Sequence, residues 1–187
     1  MSRGRLVIIS GPSGVGKDTL INAWKEKNAR VERVVAYTTR EPRPGEINGV
    51  DYHFIERNRF YEMAEAGEFL EYKEVHDYYY ATPLKDMQRL LDSGKIAVLK
   101  IDVQGALSVM SLRSDATPIF ILPPSGDELE RRIRERGTED APSIVKRLRN
   151  AQEEISLASR YRHHVINDDV EASVKRLEEI CANFSSD

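Results

Sequence analysis

The chain predicts an α/β fold: a doubly wound parallel sheet of five strands, interrupted by a small β-rich insert and carrying a helical lid. Three observations lead there. Short apolar runs alternate with stretches of helical period along most of the chain. The first run passes directly through a glycine loop into a helix, which is how a βαβ unit opens. The middle third breaks the alternation with proline, glycine and closely spaced strand patterns.

Taken in order, residues 6–10 read as a buried strand. Gly11-Pro12-Ser13-Gly14-Val15-Gly16-Lys17 follows, then a helix with Leu20, Ile21 and Trp24 on one face. Residues 34–38 read as a second core strand. Asn48-Gly49 signals a type I′ hairpin turn, whose two central residues need positive φ. Residues 69–75 and 78–82 read as a hairpin pair. Tyr78 and Tyr80 then share one side, and Tyr79 packs on the other. Thr82 and Pro83 open a helix bearing Leu84, Met87 and Leu91, with Gly94 as its stop. Residues 96–102 and 117–122 are strands, the second ended by Pro123-Pro124. Ser125 caps a helix with Leu129 and Ile133 that ends at Gly137. Pro142 begins a long helix with Ile144, Leu148, Ala151, Ile155 and Ala158. Val165-Ile166 is a short strand, and Val174, Leu177 and Cys181 mark the last helix.

Composition narrows the function classes. The 187 residues carry 28 Lys and Arg against 31 Asp and Glu, a net charge of −3. A chain without basic excess has no means to coat a polyanion, so a nucleic-acid role is not expected. Apolar residues make up 40% of the chain, enough for a core and too many for disorder. Cys181 is the single cysteine and reads as a packing residue, which fits a reducing cytoplasm. The apolar run at residues 6–9 is too short for a signal core or a membrane span. His53, His76, His163 and His164 lack metal-type spacing. Much of the acidic excess is expected on helix faces, such as Glu153-Glu154 and Glu178-Glu179.

Residues 11–17 fit the first seven positions of G-x-x-x-x-G-K-[ST]. Glycines let successive backbone N–H groups turn onto phosphate oxygens, lysine adds a cation, and the helix start adds its dipole. The eighth position is Asp18, where the motif has a hydroxyl for Mg²⁺; Thr19 follows it. The sequence therefore predicts nucleotide binding on a P-loop NTPase core.

A second signal is Thr38-Thr39-Arg40-Glu41-Pro42-Arg43-Pro44-Gly45-Glu46, followed by Gly49, Asp51-Tyr52 and Phe54. Two arginines three apart, stiffened by prolines, suit a bidentate phosphate clamp. With Phe69-Leu70-Glu71, Tyr78-Tyr79-Tyr80, Ile101-Asp102-Val103-Gln104-Gly105, Leu122-Pro123-Pro124-Ser125, Arg136-Gly137-Thr138, Lys146-Arg147-Leu148 and Val165-Ile166-Asn167-Asp168-Asp169, the chain resembles the guanylate kinase family of ATP:GMP phosphotransferases. The resemblance runs from about Arg5 to Ile180.

The resemblance implies one domain over residues 1–187. Its core would be 1–35, 84–125 and 158–187, its GMP-binding insert 36–83 and its lid 126–157. It implies Mg²⁺-dependent transfer from ATP to GMP or dGMP, without a nucleic-acid or membrane partner. Gly11, Pro12, Ser13, Gly14, Val15, Gly16, Lys17, Asp18, Thr19, Arg132, Arg136, Asn167 and Asp168 match the ATP side. Arg40, Arg43, Tyr52, Tyr80 and Arg147 match acceptor and phosphate positions. Glu71, Thr82 and Asp102 match contacts to guanine. Lys17, Arg40, Arg136 and Arg147 would carry catalysis, and Asp18 and Asp102 are candidate Mg²⁺ contacts.

Three positions depart from the family. Asp18 replaces a hydroxyl or glycine, Lys100 stands where an acid is usual, and Ala36 replaces a phosphate-touching serine. A hydroxyl with a carboxylate carries −1, whereas Asp18 with Lys100 is neutral. Asp18 is expected to pair with Lys100 or to take over a metal–water contact. The alternative is that Lys100 reaches to the surface while Asp18 serves as a first-turn helix acid. Two other readings compete with a GMP kinase. One is a ribose-bisphosphate-type kinase on the same scaffold; the other is a catalytically impaired guanylate-kinase-like binding module.

Overall fold

The computed structural model describes residues 4–75, 77–135 and 141–182. Arg136, Gly137, Thr138 and His76 lie outside them. Five parallel strands form the core sheet: β1 (Arg5–Ser10), β2 (Val31–Arg33), and three that come later in the chain. A second, four-stranded sheet holds β3 (Tyr37–Thr38), β4 (His53–Phe54), β5 (Phe69–Val75) and β6 (Tyr78–Pro83), in the order β4-β3-β6-β5. The core sheet is completed by β7 (Ile96–Lys100), β8 (Thr117–Leu122) and β9 (His163–Ile166), giving the order β2-β7-β1-β8-β9. Because β1 lies between β7 and β8, the loop leaving β1 opens at the point where strand order reverses, where doubly wound sheets bind ligands.

Helices α1 (Lys17–Lys27), α2 (Arg57–Glu65), α3 (Leu84–Asp92), α4 (Val103–Leu112), α5 (Gly126–Glu135), α6 (Ala141–Ser156) and α7 (Val170–Ala182) complete the described elements, with a 3₁₀ turn at Ala158–Arg160. Alternation along β1 builds two core layers. Val7 and Ile9 face Trp24, Ile133, Ile144 and Leu177, so α1, α5, α6 and α7 cover one side. Leu6 and Ile8 face Met87, Leu90 and Val109, so α3 and α4 cover the other. Among the described residues no helix is long and apolar enough to cross a membrane.

The structure corrects several sequence expectations. The run at 34–38 is not one core strand. The core contributes β2 at the sheet edge, where charged Glu32 and Arg33 are tolerated. The chain then crosses over and begins the second sheet at Tyr37. Asn48-Gly49 does not make a type I′ hairpin. Gly49 has φ +79°, but Asn48 is not in positive φ, and the flanking β3 and β4 pair in parallel. Asn48 Oδ1 instead accepts the Phe54 N–H at 2.9 Å, closing an irregular loop.

Helices α2 and α4 were not legible as helices. The first has only Phe60 and Met63 buried and lacks a side-chain cap, and the second has no charged residue, only Gln104, Ser108 and Ser111 as its polar face. The β7 strand stops at Lys100, because Asp102 caps α4 by accepting the Gly105 N–H at 2.7 Å. The β5–β6 hairpin is as expected, with antiparallel register from Phe69–Pro83 to Val75–Tyr78. Its tyrosines sort as expected. Tyr79 packs on Phe60 at 5.1 Å between centroids, while Tyr80 faces Tyr52 at 5.8 Å.

Candidate active site

The glycine loop is shaped by what surrounds it. Gly16 has φ +93°, and a Cβ there would meet Asn167 Nδ2 at 2.6 Å. Asn167 is buried, and its Nδ2 donates to Val15 O at 2.8 Å. Arg132, from α5, donates to Asn167 O at 3.1 Å and to Val15 O at 3.4 Å. Two sequence-distant segments thus hold one turn of the loop. Lys17 folds its ammonium back onto the carbonyls of Gly11 and Pro12. A cavity of about 590 Å³ opens over this loop. It is lined by Ser13, Gly14, Gly16, Lys17 and Asp18, with Arg43 reaching in from the insert and Arg147 from α6. Arg147 donates to Ser13 Oγ at 3.0 Å.

On the far side of the loop, Thr19, Arg132, Asn167 and Asp168 line a cavity of about 270 Å³ with Gly14 and Gly16. The residues expected on the ATP side are therefore assembled around one loop, apart from Arg136, which lies outside the described residues.

A third cavity, of about 210 Å³, lies between the insert and the core. Tyr52, Glu71, Tyr80, Lys100, Asp102 and Ala36 are among its walls. Glu71 Oε1 accepts the Thr82 hydroxyl at 2.8 Å. Burial pushes the Glu71 carboxyl above its usual range; the Thr82 bond opposes this and neighbouring Asp102 adds to it. Gly105 opens the floor, since a Cβ there would stand 3.3 Å from Glu71 Oε2 and 3.5 Å from Asp102 Oδ1.

The arginine clamp has its own organiser. Glu46 Oε1 pairs with Arg40 Nη2 at 2.9 Å while Oε2 accepts the Arg43 N–H at 2.7 Å. Burial works against this carboxylate, but Arg40 and the Arg43 N–H hold it below its ordinary range. The Arg40 guanidinium carbon stands 5.6 Å from the Tyr52 ring centroid.

Asp18 and Lys100 form an ion pair at 2.6 Å, one of the two outcomes expected for them. Arg33 Nη1 joins at 3.4 Å. Burial tends to raise the Asp18 carboxyl, yet Lys100, Arg33 and Lys17 together hold it low. Lys100 is pulled below the usual lysine range by burial and by Arg33, against the pull of Asp18.

Two acids lie on helices as expected but have partners that the sequence does not mark. Glu154 turns toward the glycine loop and takes a backbone hydrogen bond from Ser13. Its carboxyl is raised by burial and lowered by Lys17 and that bond. Glu178 accepts Trp24 Nε1 and Asn28 Nδ2, tying α7 to α1. Only the tertiary fold reveals either. Arg33 also had no motif to mark it.

A glycine loop at the switch point, flanked by arginines and facing a carboxylate pocket, defines a nucleoside monophosphate kinase, a phosphotransferase of the P-loop class. The guanylate kinase family model matches residues 3–183. Guanylate kinase from Clostridium perfringens (strain 13 / Type A) is 45% identical over 179 residues, covering 96% of this chain and 83% of that one. That of Clostridioides difficile (strain 630) is 40% identical over 183 residues, covering 98% and 89%. The crystal structure of guanylate kinase from Anaplasma phagocytophilum aligns with a TM-score of 0.80 at 32% identity, covering all of this chain and 89% of that one. Shikimate kinase from Bacteroides thetaiotaomicron, at 17% identity and a TM-score of 0.53, shares the fold alone. The chain belongs to the guanylate kinase family.

Proposed function

We propose that this protein transfers the γ-phosphoryl group of ATP directly to the phosphate of GMP or dGMP, giving ADP and the diphosphate. The observation that carries the acceptor is Glu71. It is a half-buried carboxylate whose Oε1 is held by Thr82, in a cavity that also contains Asp102. A carboxylate accepts from the guanine ring N–H and exocyclic amine together. Adenine offers no such donor pair, and a buried acceptor left unpaired penalises the wrong base. To reach the guanine oxygen, itself an acceptor, Thr82 would have to give up its bond to Glu71, since a hydroxyl has one proton to donate.

ATP would lie along the glycine loop, with its adenine toward Asn167 and Asp168 and its phosphates over Ser13 to Thr19. Catalysis is positioning and charge neutralisation. Two anions must approach each other, and Lys17, Arg40, Arg43, Arg132 and Arg147 supply the opposing charge. Arg136 is proposed to join them from the lid. Lys17 must exchange the carbonyls of Gly11 and Pro12 for phosphate oxygens. No general base is required, because the attacking phosphate oxygen is already anionic. Closure of residues 36–83 and 126–157 over the core would exclude water as a competing acceptor.

Among the described residues no cluster of three or more His, Cys, Asp or Glu could hold a metal. Mg²⁺ in phosphoryl transfer needs no such cage, since it is carried largely by substrate phosphates with one or two carboxylates. Asp18 fits a water-mediated contact: it lines the loop cavity, and both cations bind its Oδ1. Asp102 is the second candidate, with Oδ1 already engaged by Gly105. When bound, Mg²⁺ would neutralise charge on the transferring group. The single buried thiol, Cys181, supports a reducing, cytoplasmic setting.

The test is ADP release with ATP, Mg²⁺ and GMP, beside the same reaction with ribose bisphosphate. ADP formed with GMP alone is expected. Turnover with the sugar phosphate and none with GMP would contradict the reading.

A further inference from the structure

We infer that Lys100 is an additional ligand for the acceptor's phosphate, held in place by Asp18 as a positioning residue. The inference deepens the GMP reading and rests on it.

Lys100 is the last residue of β7 and pairs in register with Ile9 of β1, so it stands beside the strand that feeds the glycine loop. Its side chain lines the acceptor cavity, whereas Asp18 lines the loop cavity. The 2.6 Å pair between them is therefore part of the wall separating the two cavities, along which the phosphoryl group must travel. The Lys100 side chain is only 15% exposed, and among the described residues Asp18 is the one acceptor its ammonium bonds. An ammonium has three donors, so two remain for a ligand. Although Asp102 is two residues away and shares the cavity, Lys100 gives its bond to Asp18 and leaves the base-side carboxylates unneutralised.

The neighbourhood is built for an anion. Lys100, Arg33 and Arg40 stand 5.7, 5.9 and 5.6 Å from the centroid of one tyrosine ring, that of Tyr52. Lys100 and Arg33 share the single carboxylate of Asp18, with Asp51 acting on Lys100 from farther off. Nε of Arg33 and of Arg40 are buried with no hydrogen-bond partner among the described residues. Ala36, on the same cavity wall, offers no polar group that could serve instead. A phosphate placed against Tyr52 would meet these three cations. Asp18 keeps Lys100 aimed there rather than at Asp102.

The experiment is titration calorimetry of the full-length protein with GMP and with guanosine, for wild type and for Lys100→Met, Lys100→Gln, Lys100→Arg and Asp18→Asn, with steady-state kinetics alongside. Lys100→Met and Lys100→Gln should weaken GMP about 10- to 100-fold and leave guanosine affinity unchanged. Lys100→Arg should recover most of the loss. Asp18→Asn should raise KM for GMP a few-fold with a smaller change in kcat. Unchanged GMP affinity in Lys100→Met, or equal loss for GMP and guanosine, would overturn the assignment and leave Lys100 a structural counter-ion. A wild type that binds no GMP would overturn both this inference and the reading beneath it.

Discussion

Glu71 and Thr82 face each other across the β5–β6 ladder, and the Thr82 hydroxyl donates to Glu71 Oε1 at 2.8 Å. The bond fixes one carboxylate oxygen and orients the group in the acceptor cavity. It also moderates a carboxyl that burial and Asp102 push upward. The bond thereby favours the anionic form of this half-buried carboxyl, the form that a ligand with two adjacent N–H donors needs.

The first prediction is a pH effect. Protonating Glu71 replaces an acceptor with a donor, so KM for GMP should climb on acidification, starting above the ordinary glutamate range. Glu71→Gln should raise KM for GMP about 10- to 100-fold and abolish that dependence. The stability effect has the opposite sign. A carboxyl raised in the folded state binds its proton more tightly there than in the unfolded chain. Its stabilising contribution is complete below the unfolded pKa and is lost as pH rises through the folded one. Glu71→Gln without ligand should therefore be no less stable than wild type at pH 7, as thermal unfolding would record.

Glu46 makes the second prediction, because it holds Arg40 and the Arg43 backbone together. Glu46→Ala should raise KM for GMP about tenfold and leave KM for ATP nearly unchanged. Equal effects on the two substrates would show that Glu46 supports the fold and not the clamp.

Asn167 and Gly16 make the third. Asn167→Ala removes a buried donor to Val15 O and should cost about 1–3 kcal/mol in urea unfolding. KM for ATP should rise several-fold. Gly16→Ala brings a Cβ toward Asn167 at a φ of +93°, and ATP binding should fall by about 100-fold or more.

The fourth concerns Glu154, which sits beside Lys17 and takes the Ser13 N–H. An incoming phosphate competes for the same groups. Glu154→Gln should tighten ATP binding by roughly 2- to 5-fold, read directly by titration. Weaker binding would mean that Glu154 orients Lys17 and does not compete with the phosphate.

Much of this site could be read in the sequence because its parts are local. The glycine loop is contiguous, and the Arg40–Glu46 segment fixes two cations by proline spacing. Glu71 and Thr82 come from one hairpin whose register follows from alternation. The Asp18–Lys100 pair was accessible because the loop and the end of a neighbouring strand must adjoin. What escaped was set by distant packing. Glu154 looks like any exposed helix acid until α6 is laid over the loop. Arg33 lies on a strand of three residues, and its bonds go to Asp18 and to Asp51 O. Helix α4 has a polar stripe at Gln104, Ser108 and Ser111, but no charged residue marks it, so it stands out little from the apolar remainder. Residues 34–36 join β2 to β3 outside either strand, and nothing in the apolar run marks that break.

The central claim is that a half-buried carboxylate selects guanine. The most direct measurement is kcat/KM for GMP against AMP, with ATP and Mg²⁺ at saturation. A site that uses Glu71 to accept paired N–H donors predicts a preference for GMP of at least about 10³. A ratio near one, or faster turnover of AMP, would contradict it.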